Sequence, residues 1–168
     1  MKKSKKLVIL SFLLTSFILL FTINTNVLVV RCVETNELIF INKIKPGDEF
    51  TMKWMHSVEL QPWEEIFRID ENYNIILDRT RFKQFGAGVP DYAGNKTEIK
   101  DGYIIFSGIN KKMSKLPYGI SSFAKHTFFF KDKKIKLYEK VKDANSINIY
   151  VSQINMANYI IEKMTVSF

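Results

Sequence analysis

From residue 27 onward, short apolar runs alternate with polar clusters of Gly, Pro, Asn and Asp. VLVVRCV (27–33) and LIFI (38–41) flank E-T-N-E, and KPGDE (45–49) is a strong turn. FTMKWMHSV (50–58), WEEIFRI (63–69), NIILDR (74–79) and YIIFSG (103–108) follow, then SFAKHTFFF (122–130), IKLYEKV (135–141) and INIYVSQI (147–154). Runs this short, at this spacing, predict an all-β fold, an antiparallel β-sandwich or open barrel. No ten-residue stretch of the domain repeats with a 3.6-residue period. The tail MANYIIEKM fits either a last strand or a short helix.

Alternation within the runs makes two hairpins specific. In the first, Phe50, Met52, Trp54, His56 and Val58 share one strand face, and Trp63, Glu65, Phe67 and Ile69 share the other. A tight turn at Leu60-Gln61 then opposes Val58 to Trp63, His56 to Glu65, Trp54 to Phe67 and Met52 to Ile69. Every pair but one is apolar against apolar, as on a buried face. The exception sets an imidazole against a carboxylate, a pair that lowers the cost of burying either group. It could pin the strand register, or it could bind an anion or move a proton. In the second hairpin a turn at Asp132-Lys133 opposes Phe130 to Ile135, Phe128 to Leu137 and His126 to Glu139.

The N-terminus breaks the β-pattern. MKKSKK is followed by LVILSFLLTSFILLFTI (7–23), an uncharged apolar run with no polar face. Its length reaches the lower limit for crossing a bilayer. This divides the chain into a cytoplasmic basic segment (1–6), a transmembrane signal-anchor helix (7–26) and an extracytoplasmic β-domain (27–168). The lysines before the run favour an inside N-terminus. The segment INTNV lacks an A-x-A-like cleavage site, which favours a retained single-pass anchor in the cytoplasmic membrane over a cleaved signal and a secreted domain. The abundance of Ile, Phe, Lys and Asn, with no paired Cys, suggests a bacterial surface.

Charge and cysteine change the picture little. Of the formal +8, Lys2, Lys3, Lys5 and Lys6 supply half, and the remaining lysines are scattered among the strands. They form no stripe, which argues against nucleic acid as a partner. Cys32 is the only cysteine, so no internal disulfide can form, and Val30-Arg31 before it is unlike a lipidation signal.

Candidate chemistry is sparse. FGAGVPDYAGN (85–95) lacks the Lys-Ser/Thr of a phosphate loop, and its Gly86 and Gly88 suit either positive φ or a close backbone approach. Ser57 beside His56 invites comparison with serine hydrolases, but GxSxG is absent and adjacent strand residues face opposite ways. Two histidines with Glu65 or Asp91 are the minimum for a metal site, yet HExxH is absent and the spacing matches no metal motif. No catalytic set, metal site or cofactor motif is recognised. The candidate ligand-binding residues are His56, Glu65, Gly86, Gly88, Pro90 and His126, as one pocket of a small β-module.

Taken in order, His56-Ser57-Val58-Glu59, Pro62, Glu65, Phe85-Gly86-Ala87-Gly88-Val89-Pro90, Asp101-Gly102 and His126 resemble a family of bacterial extracytoplasmic domains of unknown function, DUF1850. The resemblance covers roughly residues 28–150. It implies a small extracytoplasmic partner of a TRAP-type solute transporter of the branch that uses TAXI-type receptors. Such a partner would dock on the transporter's membrane subunit or its solute receptor. It implies no enzymatic activity.

Overall fold

The computed structural model describes residues 2–86 and 93–166. The chain opens with helix α1 (Lys2–Thr22) and enters a strand at once, since β1 spans Asn24–Cys32. Residues 24–26 therefore belong to the domain and not to the helix. The strands β2 (Leu38–Lys43), β3 (Glu49–Met55), β4 (Pro62–Ile69), β5 (Ile75–Phe82), β6 (Lys96–Lys100) and β7 (Tyr103–Met113) follow. Then come β8 (Lys115–Gly119), β9 (Thr127–Phe130), β10 (Lys133–Lys136), the single turn α2 (Leu137–Lys140), β11 (Ser146–Asn155) and α3 (Met156–Thr165).

The strands form two antiparallel sheets, one in the order β2-β1-β11-β8 and the other β10-β9-β3-β4-β5-β7-β6. The core lies between them. Leu28, Val30, Phe40, Leu116, Ile147 and Ile149 from the smaller sheet meet Phe50, Met52, Phe67, Ile69, Phe128 and Phe130 from the larger. The expected all-β sandwich is the fold.

The two sheets differ in width, four strands against seven. At about 4.8 Å per strand, the smaller cannot cover the larger. A separate cluster of Trp63, Phe82, Ile104 and Phe106, packed with Trp54, Ala93 and Ile109, contains no residue of the smaller sheet. These side chains pack over the overhang by themselves. On the smaller sheet's outer face a third cluster joins Val27, Val29 and Ile41 to Val166 and Tyr159. So the tail is a helix, and α3 covers that face.

Both expected hairpins form, each with a corrected register. In the first, Trp54 opposes Trp63, Met52 opposes Glu65 and Phe50 opposes Phe67. β3 ends at Met55 and the turn runs through residues 56–61, longer than the expected two-residue turn. His56 N–H donates to the Gln61 carbonyl at 2.9 Å, and Leu60 N–H to the His56 carbonyl at 3.0 Å. Leu60 takes a left-handed φ of 51° to close it. The displacement is an even number of residues, so every inward side chain stays inward and only the partners change. In the second hairpin, Phe130 pairs with Lys133 and Phe128 with Ile135. Lys131, at φ 53°, moves the two-residue turn one position earlier, to Lys131-Asp132. The backbone of His126 therefore meets Leu137, whose N–H donates to the His126 carbonyl at 2.9 Å, while Glu139 pairs with Lys136. The expected His126–Glu139 opposition does not occur.

Two strands carry no clear sequence signal. β6 (KTEIK) is a polar edge, and β8 (KLPYG) contains a proline, which suits an edge strand because no ladder N–H is needed there.

Candidate functional site

Where the end of β3, the start of β4 and the loop before β9 come together lies a cavity of about 410 Å³ lined by Trp54, Met55, His56, Ser57, Trp63, Glu65, Ala124 and His126. Three of the six candidate residues, His56, Glu65 and His126, thus meet at one place. They come from the β3–β4 turn, the inward face of β4 and the loop before β9.

The wall is a ladder of flat rings. Trp54 stacks on Trp63 with ring centres 6.0 Å apart, His126 stacks on Trp54 at 6.1 Å and His56 on Trp63 at 5.8 Å. Phe82 continues it against Trp63 at 4.9 Å. The register of β3 on β4 causes this, because opposing Trp54 to Trp63 puts both indoles on one face at neighbouring positions.

Each imidazole is fixed at the same atom. The Glu59 backbone N–H donates to His56 Nδ1 at 3.4 Å, and the Ser121 backbone N–H donates to His126 Nδ1 at 3.3 Å. A nitrogen that accepts carries no proton, so both neutral rings are Nε2–H tautomers. Burial holds the His126 pKa below the usual histidine range. His126 is therefore uncharged at neutral pH.

Glu65 and His56 do not form the expected pair. With Glu65 opposite Met52, its carboxylate instead accepts a hydrogen bond from the Tyr118 hydroxyl. Burial raises the Glu65 pKa above the ordinary carboxyl value, opposed by the Tyr118 hydrogen bond and by Lys111. Burial likewise pushes the Tyr118 phenol far up, reinforced by the Glu65 charge. Tyr118 was not legible as a site residue, because Pro117 masks the strand that carries it. Its signal was Leu116 and Tyr118 at two-residue spacing, one face of β8.

Gly86 lies beside the turn by close approach rather than by positive φ. A Cβ on Gly86 would fall 1.8 Å from Oε1 of Glu59, the last residue of His56-Ser57-Val58-Glu59. The glycine lets the loop after β5 sit against the histidine turn. Gly88 and Pro90 lie outside the described residues, as does Asp91. Among the described residues, no group of three His, Cys, Asp or Glu side chains is placed to hold a metal ion.

Two further features frame the cavity. Lys53, Lys125, Lys134 and Lys136 line an adjoining groove of about 270 Å³, which shares Trp54, Met55 and Ala124 with it. Val58, Leu60, Phe85 and Phe123, on the neighbouring loops, are exposed. The indole N–H of Trp63 is buried with no hydrogen-bond partner among the described residues.

The chain is thus an antiparallel sandwich with a ring-lined cavity at one end of its larger sheet. The chain matches the family model described as a domain of unknown function (DUF1850) over residues 50–137, more than half its length, and belongs to that family. The match begins in β3 and ends just after β10, so it includes both histidines, both tryptophans, Glu65 and Tyr118. No curated protein and no solved structure matches the chain.

Proposed function

We propose that this is a membrane-tethered extracytoplasmic binding module that holds a small organic anion in the His56–Glu65–His126 cavity and serves a TRAP-type transporter as an accessory. The observation that carries the ligand role is the convergence of these three residues on one cavity walled by Trp54 and Trp63. A flat or apolar body stacks on the indoles. The imidazole Nε2–H groups supply donors for acceptor oxygens, and in the adjoining groove Lys125 and Lys134, beside the ion-paired Lys53 and Lys136, make the local potential favourable to an anion. Glu65, with its raised pKa, takes up a proton more readily than an exposed carboxylate and then repels an anion less.

Tethering is supported by α1, which is long and apolar enough to cross a membrane. Its uncharged stretch, residues 7–22, spans about 24 Å, at the short end for the hydrocarbon core. The accessory role rests on the family resemblance, and the exposed Val58, Leu60, Phe85 and Phe123 near the cavity offer apolar surface for a partner.

The test uses a property of the composition. Both tryptophans of the chain stand in the cavity wall, so intrinsic tryptophan fluorescence reports from the site alone. Titrating the detergent-solubilised full chain with small mono- and dicarboxylates should give a saturable change, absent with neutral and cationic analogues. The double change His56→Ala/His126→Ala should abolish it. A response that survives this change, or none with any anion, overturns the ligand. Affinity purification from membranes should bring down transporter subunits, and their absence overturns the accessory role.

A further inference from the structure

We infer that α3 is a second membrane contact, an interfacial helix that seats the domain on the lipid surface beside the spanning helix. This rests on the proposal that α1 is a retained tether. One side of α3 is committed to the protein. Tyr159 packs on the smaller sheet's outer face, and Lys163 Nζ donates to the Ile41 carbonyl at 2.7 Å. Glu162 adds an ion pair to Arg31 at 3.7 Å. Asn155 caps the start, its side chain accepting from the Asn158 N–H at 2.8 Å.

The opposite side is apolar and bare. Ile160, Ile161 and Met164 are 40%, 60% and 82% exposed. Met164 lies three residues after Ile161 and four after Ile160, so the three form one patch on one helix face. A surface facing water gains nothing from two isoleucines and a methionine in this arrangement, whereas an apolar face opposite a polar one suits the boundary between headgroups and acyl chains.

Lipid is the occupant because of where α3 begins. α1 ends at Thr22, and the next carbonyl, Ile23, accepts from the Met156 N–H at 2.9 Å, the first residue of α3. The two helices also touch. α3 therefore starts where the spanning helix ends, and its apolar patch lies one to two helical turns further on. Held by two contacts, the domain would keep a fixed tilt on the membrane instead of swinging about residue 23.

The experiment uses the full chain in vesicles of phosphatidylethanolamine and phosphatidylglycerol. Single cysteines carrying an environment-sensitive fluorophore are placed at Ile161→Cys and Met164→Cys in α3, at Leu13→Cys in α1 and at Ile99→Cys on β6. Lipids with spin labels on the upper acyl chain serve as quenchers. Cys32 is buried and stays unlabelled in the native protein. The expected result is quenching at residues 13, 161 and 164, with residue 99 unaffected. Quenching at 13 but not at 161 and 164 overturns the seat and leaves the tether standing. No quenching at 13 overturns the tether and the seat with it. Cross-linked dimers through residue 161 in place of lipid quenching would assign the patch to a second copy and overturn the inference.

Discussion

Removing the Tyr118 hydroxyl tests whether Glu65 is held in the wall by that one hydrogen bond. Tyr118→Phe keeps the ring, which packs 6.0 Å from Trp54, and deletes only the donor to the carboxylate. A hydrogen bond to a charged group contributes about 1.5–3 kcal/mol, and the acceptor left behind stays buried. The expected loss above the raised Glu65 pKa is of that size, a fall in Tm of roughly 3–10 °C for a domain of this length. The cost should depend on pH. Burial raises the Glu65 pKa, so its contribution to stability is present below the ordinary carboxyl value and is lost as pH rises through the raised one. Below both values Glu65 is protonated, and the variant loses only a neutral bond of about 1 kcal/mol. The gap between wild type and Tyr118→Phe should therefore widen as pH rises. Replacing both partners, Tyr118→Phe with Glu65→Leu, should cost less than the two single changes added together, with a coupling of about 1 kcal/mol or more. Denaturant melts across pH measure all of this. A Tyr118→Phe variant as stable as wild type above neutrality, or one with the same loss at every pH, would refute the reasoning.

Other consequences follow from neighbouring parts of the fold. The Glu64 side chain is 4% exposed and is held by Lys53 at 2.9 Å and Arg81 at 2.5 Å. Replacing both cations by Met leaves a buried carboxylate alone and should cost about 3–5 kcal/mol, whereas Glu64→Gln should cost about 1 kcal/mol, because the partly exposed cations resolvate. Burial alone would raise the Glu64 pKa, but Arg81 and Lys53 together hold it below the usual range. The ion cluster should therefore stabilise wild type above the ordinary carboxyl pKa and fade as pH falls through the depressed one, a dependence that acid titration should show lost in Glu64→Gln. Gly94→Ala should destabilise by more than about 2 kcal/mol, since φ is +82° there and the new Cβ meets the Ser107 carbonyl oxygen at 2.3 Å. Gly86→Ala should cost far less in a melt, because what it displaces is the movable end of Glu59, but it should weaken any tryptophan-reported ligand response. Cys32, 4% exposed, should resist alkylation in the folded protein and react once denaturant unfolds it.

Period-two alternation was enough to assign the sandwich, since it depends only on which residues must leave water. It also placed Trp54, Trp63, Glu65, Phe67 and Phe128 on the inner face, and those assignments hold under the corrected registers because each slip is an even number of residues. Apolar length alone marked α1. Register was decided by turn geometry that the sequence does not display: left-handed backbone at Leu60 and Lys131, neither of them glycine. Those turns set Trp54 against Trp63, moved Glu65 away from the His56 position and left it to Tyr118 on a strand hidden by its proline. The cavity itself is a tertiary product. It exists because the end of β3, the start of β4 and the loop before β9 are brought together by strand order, which no local pattern encodes. Only there can His56 and His126, seventy residues apart in the chain, stack on opposite ends of one indole ladder.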